Sequence, residues 1–369
     1  MAQKRYFIGT FESEALEHKT NRRLPYQVYY PADVIKKAPQ FSYHQIAENK
    51  KKILAGIRES VRAPYKTNYG FSKDDEDVDN MPSTHIEMSK KLNGMYKKMY
   101  FKPARLGKMP EPLQQKADYT TNFYDGVAIS EGEESYPIVI LSHGWVMSKE
   151  GMAYIAEALA MAGYIAVSVQ HTYFSMLTTF ANGDVAGFRP NLFVDHCSIM
   201  ADDENIVIED LKIRNQNHEI LKGKLDFTRM GVVGFSAGAS GAMWNAAHNP
   251  ELKAFLGIDS SADHLEAETI ENGMPIPSMF LRSEERKVFE DTPKLEELQQ
   301  NSSDLLVYMV TDTQHRSFGI MPYGPQNPDR FRVQTATNRI VLSFLDHYLQ
   351  GLGNDLLQLP ELDENIERL

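Results

Sequence analysis

The chain has 369 residues, 42% of them hydrophobic, which is enough to bury a substantial core and excludes global disorder. Its net charge of -11 argues against nucleic acid as a general partner, because phosphate binding relies on concentrated positive charge. No apolar run approaches the roughly 20 residues that a membrane-spanning helix needs.

The cysteine count and the N-terminal residues bear on disulfides, on metal sites and on the location of the protein. Cys197 is the only cysteine, so we exclude a disulfide within the chain and a Cys-based metal site. The N-terminal segment reaches an acidic residue too soon to contain the apolar centre of a secretory signal, so we expect a cytoplasmic location, with secretion as the alternative if a signal was removed before residue 1. Residues 1–120 contain 22 Lys and Arg against 14 Asp and Glu, so this third is basic although the chain is acidic.

The N-terminal third is less regular than the rest. Segment 24–33, LPYQVYYPAD, predicts a strand of aromatic and β-branched residues stopped by Pro31, and this strand would join the main sheet. We therefore predict a single domain over 1–369, with 40–130 as a cap or lid-like insertion. The acidic run 72–77 predicts a solvated loop rather than a metal site, because contiguous carboxylates repel each other.

Segment 86–102, IEMSKKLNGMYKKMYFK, predicts a helix with one apolar face. That face comprises Leu92, Met95, Tyr96, Met99 and Tyr100, and the lysines displaced from it are Lys90, Lys91, Lys97 and Lys98. Such a helix can make peripheral contact with an anionic lipid surface, or it can dock as a lid over an active site. We favour the lid, because Gly94 weakens a free-standing helix.

From residue 136 onward, short apolar runs alternate with helical patterns. The predicted strands are 137–142, 164–170, 230–235, 253–258, 277–282 and 305–311. Helices are predicted over 150–162, directly after Ser236, and through 338–350 before Gly351. This alternation is typical of the α/β class, with a mostly parallel central sheet flanked by helices.

The strongest motif is Gly234-Phe235-Ser236-Ala237-Gly238, which fits the G-x-S-x-G nucleophile elbow of α/β-hydrolases. It follows an apolar strand and precedes a helix of small residues, as the elbow mechanism requires. The sharp turn would expose the Ser236 hydroxyl, and bulky side chains at 234 or 238 would clash with neighbouring elements. We therefore predict Ser236 as a nucleophile, with a Gly-Ser turn without chemistry as the alternative.

A serine hydroxyl needs a base, and α/β-hydrolases order the triad as Ser, acid and His along the chain. Among the histidines after Ser236, His315 in TDTQHRSFG follows a predicted strand on a loop that can reach the nucleophile. His248 and His347 lie on predicted helices, and His264 follows a candidate acid too closely to reach back. We predict His315 as the base.

The residues alone leave the acid open. The usual position after the penultimate strand nominates Glu284 or Glu285. AFLGIDSSADHL instead places Asp259 at the carboxyl end of the preceding strand, where a buried carboxylate could orient the imidazole. Asp263 and Asp312 are weaker candidates, and Asp259 and Glu284 stay nearly even.

An oxyanion at Ser236 needs backbone N–H donors. One is expected at Ala237, directly after the nucleophile, and the other at Trp145, in the loop that follows the strand of PIVILSHGW. His143 in that loop precedes Ser236, which is the wrong chain order for the base. We predict a structural hydrogen bond for His143.

Together these segments resemble the platelet-activating factor acetylhydrolase family, in its plasma and bacterial esterase-like branch. The segments are NRRLPYQVYYPAD, YPIVILSHGW, YIAVSVQHTYFS, GVVGFSAGAS, AFLGIDSSAD, TQHRSF and FLDHYLQG. The resemblance implies an α/β-hydrolase fold and favours Asp259 as the acid beside Ser236 and His315. It also matches Trp145 and Ala237 to the oxyanion donors.

The same resemblance implies a serine ester hydrolase that needs no cofactor. Its substrates would be phospholipids with short or oxidised acyl chains, or small carboxylic esters. One departure is Phe235, which stands where animal members commonly carry a His before the nucleophile. The alternatives are a peptidase or thioesterase on the same fold, and a catalytically silent binding protein.

Overall fold

The computed structural model describes residues 6–18, 21–33, 38–60, 83–189, 196–286, 292–319, 321–323, 329–353 and 355–369. The acidic run 72–77, for which a solvated loop is predicted, lies outside these residues. Among the helices described, none combines the length and the hydropathy that crossing a membrane requires.

A large mixed sheet forms the centre of the protein. In chain order the strands are β1 (Phe7–Glu17), β2 (Arg22–Ala32), β3 (Tyr124–Asp125), β4 (Tyr136–Ser142), β5 (Ile165–Val169), β6 (Leu177–Thr179), β7 (Val185–Gly187), β8 (Leu225–Phe235), β9 (Ala254–Ile258), β10 (Ser278–Ser283), β11 (Leu305–Val310) and β12 (Ile366–Arg368). Ten of them form one sheet in the order 12-11-10-9-8-4-5-2-1-3, and β6 pairs with β7 separately.

The middle of the sheet is parallel, as the alternating pattern predicts. Strands β5, β4, β8, β9, β10 and β11 pair in parallel. They correspond to the six predicted strands, and most of their side chains are buried because helices cover both faces. The strand predicted at 24–33 is β2, which joins the sheet antiparallel to β5. It continues through Pro31 to Ala32, and it pairs with β1, which was not predicted.

Helices pack on both faces of the sheet. In chain order they are α1 (His44–Glu48), α2 (Lys50–Ser60), α3 (Ser83–Tyr96), α4 (Lys102–Arg105), α5 (Glu111–Asp118), α6 (Ala153–Met161), α7 (His196–Asn217), α8 (Ala237–His248), α9 (Ala267–Asn272), α10 (Thr292–Asn301), α11 (Arg330–Gln350) and α12 (Leu359–Leu362). Buried side chains of α6 and α11 belong to the core on one face, and those of α7, α8 and α10 to the core on the other. The predicted terminal helix is α11, which ends at Gly351 in the left-handed conformation.

The segment predicted as a cap is mostly helical. Helices α1 to α5 lie between β2 and β3, and a π-helical turn (Lys97–Phe101) joins α3 to α4. The side chains of Leu92, Tyr96 and Tyr100 are buried in the same core as α6 and α11. Three of the five residues of the predicted apolar face of segment 86–102 are therefore packed against the body of the protein, whereas Met95 and Met99 are exposed.

The order of the strands locates a crevice at the centre of the sheet. From β4 the chain proceeds outward to β5 on one side, whereas β8, β9, β10 and β11 continue on the other side. In open α/β sheets, ligands bind beyond the carboxyl ends of the strands where the order reverses. The loops after β4 and β8 meet at that point, and they contain the predicted oxyanion loop and elbow.

Candidate active site

The predicted elbow is a strained turn between β8 and α8. Ser236 has φ 55° and ψ -123°, a backbone conformation that residues other than glycine rarely adopt. Its N–H donates to the carbonyl of Ile258 at 2.9 Å, which ties the turn to the end of β9. Such strain persists only where the surrounding structure imposes it, and it often marks a functional residue.

The two glycines of the motif are required by close backbone contacts. A Cβ at Gly234 would overlap the backbone of Gly238 and Ala239, and one at Gly238 would overlap the carbonyl groups of Ser142 and His143. Bulky side chains were expected to clash at these positions, and in this structure even a methyl group would. The elbow is therefore pressed directly against the end of β4.

His315 and Asp259 are brought together from two separate loops. The Nδ1 atom of His315 lies 2.6 Å from Oδ2 of Asp259, so the imidazole donates to a carboxylate that is fully buried. Asp259 follows β9, and His315 begins a single 3-10 turn (His315–Ser317) after β11. This bond fixes the tautomer and leaves Nε2 as the unprotonated nitrogen.

Asp259 is held as a carboxylate by its surroundings. Burial alone would raise its pKa, but hydrogen bonds from His315 and from the Ser283 amide outweigh burial and lower the pKa below the ordinary value. The Ser283 N–H donates at 2.8 Å and its hydroxyl at 2.9 Å, and the Arg286 guanidinium lies 3.4 Å away. The group can therefore stabilise an imidazolium at His315.

Glu284 and Glu285, the other candidates for the acid, support the backbone of the histidine loop instead. The carboxylate of Glu285 accepts the N–H of His315 at 2.9 Å, and that of Glu284 accepts the N–H of Asp312 at 2.6 Å. Both residues form a short 3-10 turn after β10. The sequence correctly places Glu284 and Glu285 after β10, but it does not show that their carboxylates accept backbone N–H groups rather than the imidazole.

Phe235 links the histidine loop to the elbow. Its ring stacks on the imidazole of His315, with centroids 5.0 Å apart and an interplanar angle of 26°. A Cβ at Gly144 would lie 2.8 Å from the Phe235 ring, and one at Gly319 would lie 3.0 Å from it. The residue before the serine is thus enclosed by both loops that border the site, a role that its sequence position did not reveal.

The remaining histidines after the elbow lie apart from Asp259. His248 bonds the Trp244 carbonyl at the end of α8, and His347 bonds the Gly353 carbonyl at the end of α11. The ring of His264 packs at right angles to that of His196, with centroids 5.0 Å apart. Asp263 forms an ion pair with Lys294. Of the predicted acids and bases, only His315 and Asp259 are bonded to each other in the described part of the chain.

The predicted oxyanion loop is a tight turn beside the elbow. The N–H of Met147 donates to the Gly144 carbonyl at 3.2 Å, Val146 has φ 60°, and its N–H donates to Phe174 at 2.8 Å. The Trp145 ring of this turn packs against the ring of Phe188, which follows β7. Ala237 begins α8, and the first N–H groups of a helix have no partner within it.

Buried histidines support this loop from below. His143 is fully buried: its Nδ1 atom lies 2.8 Å from the Gly144 carbonyl, and its Nε2 atom accepts the N–H of His171 at 3.1 Å. Burial lowers the pKa of His143 to about 3, so it stays neutral. His171 in turn bonds Ser142 and Asp203. His143 has the structural hydrogen bonds expected of it.

A cavity of about 510 Å³ opens next to these loops. Its wall includes Val146 and Met147 of the predicted oxyanion loop, and Ser317 and Gly319 after His315. Five methionines line it: Met95, Met99, Met147, Met176 and Met321. Ser236 and His315 are not themselves part of the wall, although the residues that directly follow His315 are.

Buried charges form one side of the cavity. Lys116 from α5 and Lys149 both line it, and each lies 2.6 Å from the carboxylate of Glu150. Lys149 also pairs with Glu12 of β1. Burial would raise the pKa of Glu150, but the two lysines lower it, so the group is ionised. This cluster could not be predicted from the sequence, because Glu12, Lys116 and Lys149 lie far apart along the chain.

Comparisons with known proteins agree on one family. The model of the family described as "Platelet-activating factor acetylhydrolase, isoform II" matches residues 113–220 and 192–324, together more than half of the chain. A platelet-activating factor acetylhydrolase from Cavia porcellus is 23% identical over 275 aligned positions, covering 63% of this chain and 63% of that protein. The chain thus spans under two thirds of that relative's length.

A solved structure extends the comparison to the whole fold. The structure of a ferulic acid esterase from Streptomyces cinnamoneus matches with a TM-score of 0.65 and 16% identity. The match covers 99% of this chain and 97% of that one. At this level of identity the likeness shows the fold alone, and it confirms the predicted α/β-hydrolase architecture.

Proposed function

The chain belongs to the platelet-activating factor acetylhydrolase isoform II family, and from this premise we propose that it is a serine ester hydrolase. Its substrates are phospholipids with short or oxidised acyl chains, or small carboxylic esters. The observation that carries the proposal is the hydrogen bond of 2.6 Å between His315 and buried Asp259. The His315 imidazole also stacks on Phe235, the residue before Ser236. Activated serines of this kind depend on such an oriented imidazole.

The proposed reaction is acyl transfer through an acyl-enzyme. Nε2 of His315 takes the proton of the Ser236 hydroxyl while Oγ attacks the ester carbonyl, and Asp259 stabilises the imidazolium. The imidazolium then protonates the leaving alcohol as the acyl–oxygen bond of the substrate breaks. Water, deprotonated by the same imidazole, releases the acid and restores Ser236.

Two backbone N–H groups are proposed to bind the oxyanion. That of Ala237 lies at the start of α8, where the helix dipole also favours negative charge. That of Trp145 belongs to the turn pressed against Phe235 through Gly144. Each such donor typically contributes about 10²–10³ in rate. The buried His143 and His171 would keep the turn in place during the reaction.

The cavity beside the loops is proposed to receive part of the substrate. Its volume of about 510 Å³ is of the size that ordinary ligand pockets have. Methionine side chains are flexible and polarizable, so a wall that contains five of them adapts to acyl chains of different shape. The buried Lys116 and Lys149 add polar groups on one side, which suits an ester substrate with polar or oxidised positions.

An acyl panel tests this function. The purified chain is assayed with nitrophenyl esters from acetyl to palmitoyl, with a phospholipid bearing a 2-acetyl group, and with a matching thioester and amide. We expect hydrolysis of the short esters and of the acetyl phospholipid, little turnover of palmitoyl substrates, and none of the amide. Preferred cleavage of the amide or the thioester would instead assign a peptidase or a thioesterase.

Two serine variants complete the test. Ser236→Ala should lower the ester kcat by about 10⁴-fold or more, since removal of the nucleophile leaves only binding and oxyanion stabilisation. Ser343→Ala, on the distant helix α11, should keep the wild-type rate. If wild type and Ser236→Ala were equally inactive on every substrate, the chain would be a silent binding protein.

A further inference from the structure

Three potential metal ligands converge at one end of α7. His196 and Cys197 begin that helix, and the Cys197 sulfur lies 3.4 Å from Nε2 of His196. His264 comes from the short 3-10 turn after β9. One ligand atom from each residue lies within 4.8 Å of the other two. A single cysteine excludes a metal site made of several cysteines. A mixed site of one cysteine and two histidines is visible only in the folded chain, because His264 is far from His196 in the sequence.

The distances suit a tetrahedral ion. Zn–N bonds of about 2.0 Å and Zn–S bonds of about 2.3 Å place neighbouring ligand atoms roughly 3.5 Å apart. The His196–Cys197 pair already has a separation of 3.4 Å. The ligand atom of His264 lies within 4.8 Å of the other two, so it has to move by no more than about 1.5 Å. Because His264 is exposed, its side chain can move by that amount without disturbing the core.

The donor set selects the kind of ion. Two imidazoles and one thiolate are borderline and soft ligands, which favour Zn²⁺ and disfavour Mg²⁺ and Ca²⁺, whose ligands are oxygens. His196 is buried and Cys197 half-buried, so two of the three donors are held in place by the fold. Three protein ligands leave a fourth position for water.

We propose that His196, Cys197 and His264 form a Zn²⁺ site with three protein ligands and an open fourth position. The ion joins α7 to the loop that leads from Asp259 to His264. Helix α7 packs closely on the elbow helix, since a Cβ at Gly241 would lie 2.6 Å from Cβ of Met200. Bound Zn²⁺ therefore holds the segment that follows Asp259 against helix α7, which packs on the elbow helix α8.

Cobalt provides a spectroscopic test that does not depend on activity. The metal-free full chain is titrated with Co²⁺, and we expect a near-ultraviolet thiolate-to-cobalt charge-transfer band that saturates at one equivalent and is displaced by Zn²⁺. Cys197→Ser should abolish the band. His264→Ala should weaken Co²⁺ binding by about 10-fold or more, as loss of one ligand does, while the exposed His347→Ala should bind like wild type.

Folding of the variants is checked by thermal unfolding without metal. His264 is exposed, so His264→Ala should unfold at the wild-type temperature even if Cys197→Ser does not. Zn²⁺ should raise the unfolding temperature of wild type but not of His264→Ala. The proposal is overturned if wild type shows no charge-transfer band, if the band survives in Cys197→Ser, or if His264→Ala binds as tightly as wild type. None of these results depends on whether the chain hydrolyses esters.

Discussion

At the scale of single residues, the imidazole of His315 is positioned from three sides. Asp259 bonds its Nδ1 atom, Phe235 stacks on its ring, and Glu285 accepts its backbone N–H. Each neighbour limits a different motion: rotation of the ring, tilt of the ring, and displacement of the loop. An imidazole held in this way needs little reorganisation to act as a base.

The role of Asp259 can be separated from that of its neighbours by one substitution. Asp259→Asn keeps the shape of the side chain but presents the wrong group to Nδ1, so kcat for a short ester should fall by about 10³–10⁴-fold. Asp263→Asn, which weakens an exposed ion pair with Lys294 and a hydrogen bond from the Ser261 hydroxyl, should leave kcat unchanged. Equal losses in both variants would show that Asp259 is not the orienting acid.

At the scale of elements, the effect of adding a side chain to a glycine is opposite in the elbow and in helix α3. A methyl group at Gly238 would overlap two backbone carbonyl groups, whereas one at Gly94 of α3 would meet nothing within 4 Å. Gly238→Ala should therefore lower the free energy of unfolding by about 3 kcal/mol, the upper range for overpacking. Gly94→Ala should raise it by about 0.5–1 kcal/mol, because alanine favours a helix interior. Chemical denaturation measures both, and a neutral Gly238→Ala would contradict the packing described at the elbow.

Helix α3 and the π-helical turn that follows it should influence which acyl chains are accepted. Met95 and Met99 line the cavity, so replacing both by alanine should enlarge it and raise the kcat/KM ratio of longer to acetyl esters by about 5–10-fold. Lys97→Ala, on the exposed side, is the matched control. An unchanged ratio in the double variant would place the acyl chain elsewhere.

The lysines of the same helix test the membrane alternative. We propose that segment 86–102 acts as a lid, because Leu92, Tyr96 and Tyr100 are buried in the protein core. Replacing Lys90, Lys91, Lys97 and Lys98 together by alanine should then leave co-sedimentation with anionic vesicles unchanged. A salt-sensitive loss of vesicle binding in that variant would favour the interfacial helix.

The elements differ in how far their sequences define them. The parallel strands and the elbow could be predicted, because buried strands have continuous apolar runs and the elbow has glycines at required positions. Strand β1 (FIGTFESEALE) was missed, since its charged residues hide the pattern and only pairing with β2 makes it a strand. The residues alone do not distinguish Asp259 from Glu284 as the acid, because each follows a parallel strand. Only the folded loops determine which carboxylate faces His315.

At the scale of the whole molecule, the site rests on buried polar groups whose charges depend on pH. Glu204 of α7 is fully buried and accepts a hydrogen bond from Asn245 at 2.9 Å. Burial raises its pKa from 4.5 to about 8, against the opposing effect of that bond. The neighbouring Asp203 pairs with Arg22 and His171 beneath the oxyanion loop. Packing of α7 against the sheet is therefore coupled to protonation.

This coupling predicts how the stability of one variant depends on pH. Because the pKa of Glu204 is about 8 in the folded protein and 4.5 in the unfolded chain, protonated Glu204 contributes its full stability below pH 4.5. That stability is lost as pH rises from 4.5 through about 8. Glu204→Gln abolishes this loss, so its free energy of unfolding relative to wild type should increase with pH across that interval, by up to about 1.4 kcal/mol per unit. Glu209→Gln, on the exposed side of α7, should show no such trend. A pH-independent difference for Glu204→Gln would mean that Glu204 is ionised in the folded protein at neutral pH.

Activation of Ser236 by His315 can be measured by labelling the chain with a fluorophosphonate and mapping the adduct by mass spectrometry. We expect one adduct per chain, on Ser236. Labelling should slow by about 10³-fold or more in His315→Gln and should be absent in Ser236→Ala. An adduct on another residue, or wild-type labelling of His315→Gln, would contradict the account.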